Sequence, residues 1–260
     1  MQDNVGGNSK SYFNDSYKDL VIIEVPLNFS ITSKKIYGDL IRIIKKSKSI
    51  VDLGCGGGGT IRAFRNLNKK ALITGIDCSD VALNTARMLM KEDKNISLID
   101  SNLNDFILMN AKYDLVYSSQ LLEHIVKPDE FLKNIYNALK PGGILILSTV
   151  YKKKWAWYFY KNKFGKRVLA PDHVNEYTNV NDLLNQLEGS GFDNYFYDVV
   201  MFHYPLIDPF IKLVMTFIKN NWVIRMCNSE LMMKIRYYFA VPILGFYNMQ
   251  VLLKKQDSRE

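Results

Sequence analysis

The run VDLGCGGGGT (51–60) constrains this chain more than any other segment. An apolar stretch ends at Asp52 and Leu53, five glycines fill the six positions from Gly54 to Gly59, and an amphipathic segment opens at Thr60. This predicts a buried strand, a tight turn and a helix N-terminus. Glycines let the backbone turn into conformations a Cβ forbids, and they let a ligand lie against bare backbone. The free N–H groups of the helix start can hold an anion such as a carboxylate. Two templates fit the glycines. Gly54, Gly56 and Gly59 satisfy the dinucleotide pattern GxGxxG, and Asp52, Gly54, Gly56 and Gly58 satisfy an acid-x-GxGxG pattern.

Asp77 closes the next apolar run, ALITGID (71–77), about 20 residues beyond the loop, where an acid can reach the ribose hydroxyls of an adenosine ligand. NAD and S-adenosylmethionine both remain open on these residues. Short apolar runs continue to alternate with helical segments. ISLID (96–100), YDLVYSS (113–119) and ILILSTV (144–150) read as strands, the last after a PGG turn; residues 31–47, 60–68, 81–91 and 129–139 read as helices. The strands are continuously apolar, as in a sheet covered on both faces. The expected fold is α/β: a Rossmann-like, mostly parallel seven-stranded sheet with helices on both faces and a C-terminal apolar helical insertion.

The expected organisation has four parts. Residues 1–48 are an N-terminal lead and helix, the first 18 or so loose and polar, and 49–200 are a cofactor-binding core. Residues 201–245 are an apolar helical cap, and 246–260 are the final strand and tail. With 48% hydrophobic and 23% charged residues the composition is that of a folded globular chain. Three cysteines, Cys55, Cys78 and Cys227, form no CxxC pair, which argues against a disulfide scaffold and for a reducing, cytoplasmic setting. The polar N-terminus does not read as a secretory signal, and no uncharged run reads as a transmembrane span.

Four segments in order resemble the class I S-adenosylmethionine-dependent methyltransferases: VDLGCGGG, GIDCSDVALNTAR (75–87), YDLVYSSQLLEHI (113–125) and LKPGGILILSTV (139–150). The phrases LLEHI and APDHVNEYT (170–178) resemble the quinone-biosynthesis and glycan-cluster members. The resemblance covers roughly 35–190 and implies a methyltransferase acting on a small-molecule or lipid-linked acceptor, at oxygen, with S-adenosyl-L-methionine as cofactor. It implies that backbone at Gly54 and Gly56 holds the methionine part, with Asp52 behind it and Cys55 and Gly58 also at the cofactor. Asp77 takes the ribose and Cys78 lies along the adenine. Asn102, where the family has an acid, faces the adenine amino group beside Leu103, with Asp100 as runner-up. Ser118, Ser119 and Gln120 border the reacting methyl. Some quinone methyltransferases carry SExxEH and hold magnesium there. Here Gln120 replaces the first acid, and a hard cation prefers charged oxygens, so no metal is expected.

Transfer to a hydroxyl benefits from a base near neutral pH. His173 and His124 are the candidates, ahead of His203. The net charge of +8 leaves an RNA acceptor as an alternative, but the basic residues are scattered and no RNA-binding module is visible, which argues against nucleic acid. The basic, aromatic run YKKKWAWYFYKNKFGKR (151–167) reads as a lid, with an RNA patch or a membrane-surface patch as rivals. Residues 205–244 read as a packed cap walling the acceptor pocket, with peripheral membrane contact as the alternative. The oligomeric state is left open.

Overall fold

The computed structural model describes residues 7–17, 27, 31–158, 160–162, 164–218, 222, 223, 226 and 229–256. Helix α1 (Gly7–Tyr17) comes first, in the lead expected to be loose. Helix α2 (Lys34–Lys46) follows, then strand β1 (Ser49–Leu53), α3 (Gly59–Leu67), β2 (Leu72–Asp77), α4 (Asp80–Leu89), β3 (Ile96–Asp100) and β4 (Tyr113–Ser119). Helix α5 (Pro128–Ala138) leads to β5 (Leu139–Lys152). A short hairpin, β6 (Tyr160–Lys161) and β7 (Arg167–Val168), precedes α6 (Val180–Gly189) and β8 (Asn194–Pro205). Helices α7 (Asp208–Phe217) and α8 (Glu230–Tyr238) lie before the last strand, β9 (Ala240–Lys254).

Seven strands form one sheet in the order β3-β2-β1-β4-β5-β9-β8. All pairs are parallel up to β5, and β9 is antiparallel to both neighbours. The strand order reverses between β1 and β4, which puts a crevice at their carboxyl ends. Every residue of β1 is buried, consistent with cover on both faces. On one face the amphipathic α2 places Ile36, Leu40 and Ile44 against Ile50 and Phe64; on the other, α5 and α6 contribute Phe131, Ile135 and Leu187 around Phe192. Each such side chain contributes about 1.5–3 kcal/mol by leaving water.

Two boundaries differ from expectation. The PGG segment is part of β5, as a bulge: Leu139 pairs with Tyr113 and Ile144 with Leu115, so Lys140–Gly143 loop out, with Gly142 at a positive φ of 72°. The last strand begins at Ala240, not Phe246. Lys152 pairs with Phe246, but the β8–β9 ribbon runs on to Pro205 and Ala240, past the end of β5. No helix among the described residues is long and apolar enough to cross a membrane. Cys227 lies outside the described residues.

At the amino ends of β1 and β4 the carboxylate of Asp114 accepts from Lys48 N, Ser49 N and Ser49 Oγ at 2.8, 2.8 and 2.9 Å, and from Lys140 Nζ at 2.8 Å. Burial alone would raise its pKa, but Lys140 and the Ser49 and Lys48 donors outweigh that and hold it below the usual carboxylate value. A lowered folded-state pKa means stability that is full above the unfolded carboxylate value and lost as pH falls through the folded one. Asp114→Asn is therefore expected to cost about 1–3 kcal/mol at neutral pH. In urea titrations the gap from wild type should close as the pH falls through the acid range; a gap independent of pH would remove the charge from the explanation.

Candidate functional site

The glycine loop is tied to the neighbouring strand by backbone and side chain together. Gly54 N and Cys55 N donate to Ile76 O at 2.8 and 3.1 Å. Asp77 Oδ2 then accepts from Gly56 N at 2.8 Å, and Asp77 Oδ1 accepts from Ser79 N at 2.9 Å. Gly56 has φ 50°, and a Cβ there would stand 2.6 Å from the Tyr17 hydroxyl oxygen, so this position needs glycine for conformation and for space. Asp52 is buried beneath the loop, and its Oδ2 has no hydrogen-bond partner. Burial, then the charge of Asp77, pushes its pKa up to about 8. Burial also raises Asp77, against the hydrogen bonds from Ser79, Gly56 and Cys78.

A cavity of about 290 Å³ opens at the carboxyl ends of β1, β2 and β4. Of the residues expected at the cofactor, Gly54, Asp77, Cys78, Asn102, Leu103 and Gln120 line it. Asp52, Gly56 and Gly58 form the layer behind. The Cys55 side chain instead turns into the core, where a Cβ on Gly75 would lie 2.9 Å from its Sγ. Burial, then Asp77, pushes the Cys78 thiol up to about 11, so it faces the cavity as a neutral group. Asn102 lines the wall, but its Oδ1 already accepts from Asn104 N and Nδ2, each at 3.0 Å. Asp100, the runner-up, is not a lining residue; it pairs with Lys10 at 2.9 Å.

At the end of β4, Ser118 is buried and Ser119 Oγ lies 2.8 Å from Ser148 Oγ. Gln120 sits at φ 52°, a conformation few residues other than glycine adopt. Its Nε2 donates to Asn248 Oδ1 at 3.1 Å. Such strain is characteristic of sites where a side chain is held for function.

His124 ends a short 3-10 turn, Leu122–His124, and lines the cavity; His173 does not. The two rings meet edge-on with centroids 4.9 Å apart. His124 Nδ1 lies 3.0 Å from Asp172 Oδ2, and His173 Nδ1 lies 2.7 Å from Glu176 Oε1. Burial would lower the His124 pKa, but Asp172 and Glu123 together raise it. Glu123 is itself buried and accepts from Thr149 Oγ1 at 2.8 Å. His203 is exposed on β8 and lies outside the cavity lining.

Glu123, His124 and His173 each offer a ligand atom within 4.8 Å of the others. Two imidazoles and one carboxylate suit magnesium poorly, since that ion is held by oxygens. Gln120, where the resembling proteins carry an acid, is engaged with Asn248 instead. The residues present do not fit a magnesium site.

Sequence reasoning missed α1. Tyr12, Phe13 and Tyr17 line the cavity. Lys10 bridges Asp80 and Asp100 at 3.1 and 2.9 Å, and Asn14 Oδ1 accepts from Ser79 Oγ at 2.8 Å. Phe13 meets the His124 ring at 5.3 Å. The helix has only a weak apolar stripe, so its local sequence carries little signal. The loop after β7 contributes Pro171, Asp172 and Val174, with Asn162 from the preceding hairpin, whereas no described residue of 205–244 lines the cavity.

Residues 51–147 match a family model described as a methyltransferase domain. The chain is 29% identical over 120 residues to the ubiquinone biosynthesis O-methyltransferase of Coxiella burnetii, covering 46% of this chain and 50% of that protein. It is 30% identical over 114 residues to that of Saccharophagus degradans, covering 43% and 48%. The chain thus spans about half the length of the curated relatives it matches. Among solved structures, phosphoethanolamine N-methyltransferase 2 of Haemonchus contortus, in complex with S-adenosyl-L-methionine, matches at a TM-score of 0.57 and 16% identity over 85% of this chain and 53% of that one. An S-adenosylmethionine-dependent methyltransferase from Mesorhizobium loti matches at 0.54 and 21% over 83% and 96%. At these identities the structures speak to the fold.

Asp77→Ala is expected to weaken S-adenosylhomocysteine binding by about 1–3 kcal/mol in calorimetry, the usual cost of a lost acceptor; wild-type affinity in a folded variant would move the ribose site elsewhere. The family match over residues 51–147, the four motifs in order and the sheet topology agree on the acid-x-GxGxG template, so residues 51–147 are similar to a methyltransferase domain that takes S-adenosylmethionine.

Proposed function

We propose that this chain transfers a methyl group from S-adenosylmethionine to a hydroxyl of a small-molecule or lipid-linked acceptor, with His124 as the base. The observation that carries this reading is one cavity lined both by Gly54, Asp77, Cys78 and Leu103 and by His124, whose Nδ1 lies 3.0 Å from Asp172 Oδ2, together with the apolar Leu121, Ile125, Pro171 and Val174. The O-methyltransferase names of the curated relatives support oxygen as the acceptor atom.

The residues present fit the cofactor. The buried Asp52 Oδ2 lacks a partner, and an ammonium group in its vicinity would favour the ionised carboxylate. Gly54 presents bare backbone to the cavity for the methionine part, with Gly56 behind it, and Asp77 offers carboxylate oxygens to the ribose hydroxyls. When bound, the sulfonium supplies an activated methyl group for an in-line displacement. This chain's own residues do the rest. The apolar wall excludes water and aligns the acceptor oxygen. His124, its Nδ1 turned to Asp172, presents Nε2 to the hydroxyl proton. The hydroxyl proton would pass to His124 Nε2, leaving an imidazolium paired with Asp172, while the bound sulfonium would supply the methyl group to the acceptor oxygen and be left a neutral thioether. His173, the other candidate, supports His124 through the ring contact.

For the acceptor's source we propose a bilayer surface. Trp155 and Trp157 are 65% and 76% exposed, in a stretch carrying Lys153, Lys154, Lys161 and Arg167; Phe210, Phe217 and Tyr238 are exposed on α7 and α8. Aromatic residues amid basic ones suit the interface of an anionic membrane. The protein should sediment with vesicles containing phosphatidylglycerol, and less so as salt rises; equal recovery with phosphatidylcholine alone would remove the electrostatic part, and no sedimentation with either would leave a soluble acceptor.

The reading is tested by radiolabelled methyl transfer into phenolic and lipid-extract acceptors. His124→Ala should lower kcat by about 100- to 10,000-fold without loss of S-adenosylhomocysteine binding. Because a base must be neutral and the His124 pKa is raised, kcat/KM should fall on the acid side above the ordinary histidine value. Asp172→Asn should move that limb to lower pH. A limb that stays put in this variant would point to another base.

A further inference from the structure

Beside the cavity lies a buried ion pair that the methyl-transfer chemistry does not use. Lys152 ends β5, and its side chain has no solvent exposure. Its Nζ lies 3.3 Å from Glu176 Oε2, against the Tyr158 ring. Glu176 is 5% exposed in its side chain, and its Oε1 accepts from Leu169 N at 2.6 Å and lies 2.7 Å from His173 Nδ1. Burial would raise the Glu176 pKa, but His173, Leu169 N–H and Lys152 outweigh that and keep it ionised. An ionised carboxylate only accepts, so the proton on that side of His173 sits on Nδ1.

The same carboxylate therefore closes a turn from Leu169 to Glu176. Further bonds anchor the turn to the sheet. Val174 N and Asn175 N donate to Glu123 O at 2.8 and 3.0 Å, Asn162 Nδ2 donates to His173 O at 2.9 Å, and Lys152 N donates to Tyr177 O at 2.9 Å. Asp172 lies inside this turn, and that is what brings it to His124. Glu176 lines a second cavity, with Tyr158, Arg167 and Gln186, and not the one that holds His124.

We propose that Glu176, with Lys152 as its buried counter-ion, is a positioning residue that closes the 169–176 turn on His173 and so sets Asp172 against His124. The proposal rests on the reading of His124 as the base. Stability is a poor explanation for such a pair, because apolar replacements of a buried ion pair are often neutral or stabilising. What this pair supplies is geometry: one carboxylate fixes the His173 tautomer and the turn, and Lys152 keeps that carboxylate charged inside the protein.

The facing groups are few. His124 meets Asp172 and His173 from the loop, Glu123 from its own turn and Phe13 from α1. Since the chain has three histidines, the ring signals of His124 and His173 can be followed by nitrogen-15 NMR. Glu176→Ala could fail to fold by stranding the buried cation, so the decisive variant is Lys152→Met/Glu176→Ala, which removes both charges. In it the His124 titration should shift downward as Asp172 is released, and His173 should lose its Nδ1-protonated preference, while calorimetry with S-adenosylhomocysteine stays at wild type. Lys152→Met/Glu176→Gln, whose amide oxygen still accepts from Leu169 and His173 and which strands no cation, should restore the turn and keep the His124 titration raised. A folded double variant with unchanged His124 titration and His173 tautomer would overturn the proposal. These readouts need no acceptor. If they move as expected while His124→Ala retains full methyl transfer, the base assignment fails and the positioning role stands.

Discussion

The hydrogen bond from Gly56 N to Asp77 Oδ2 is the constraint on which the site depends. It requires a residue without a side chain at the loop and an acid at the end of the next strand. It also requires that this acid be buried, in a neighbourhood where Asp52 already lacks a partner. Burial raises both carboxylates and Asp77 raises Asp52 further, while the backbone N–H groups of Ser79, Gly56 and Cys78 converge on Asp77 and counter its rise. The free protein thus keeps its binding edge under electrostatic load, which a positively charged ligand would relieve.

From that edge the cavity runs toward a second centre of charge built quite differently. The first is local: loop, strand and helix start follow one another within about 30 residues, as the βαβ arrangement allows. The second gathers Glu123 and His124 from the end of β4, Thr149 from β5 and Asp172, His173 and Glu176 from a loop some 50 residues later. It holds together through buried ionic and amide contacts. Each pairing there is worth little or even costs stability, so the value of the arrangement lies in where it puts the imidazoles.

This contrast explains what could be read from the residues alone. The strands β1 to β5, the glycine loop and the place of Asp77 at a strand end were legible because each follows from short-range pattern and turn chemistry. The antiparallel last strand was legible in place but not in length, since residues 240–245 pair with β8 beyond the reach of β5 and carry Pro242 and Gly245. The direction of the Cys55 side chain was not legible, because position within a loop does not say which way a side chain turns; Gly75 on the next strand makes room for its sulfur in the core. Helix α1 was missed because polar residues with little periodicity hide an element whose contacts are all long-range. His124 and His173 were singled out as types, but only the fold distinguishes the one that lines the cavity from the one that backs it.

Helix α1 gives the last of these points a wider meaning. It lines the cavity through Tyr12, Phe13 and Tyr17, with Phe13 at His124, and is tied outside it by Lys10 to Asp80 and Asp100, yet Lys10 and Asp100 are each 38% exposed in their side chains. Exposed ion pairs of this kind contribute little individually and weaken with salt. Helix α1 is thus fastened to the fold in part by polar contacts at its surface, so its sequence can change while the strand motifs beneath it are kept.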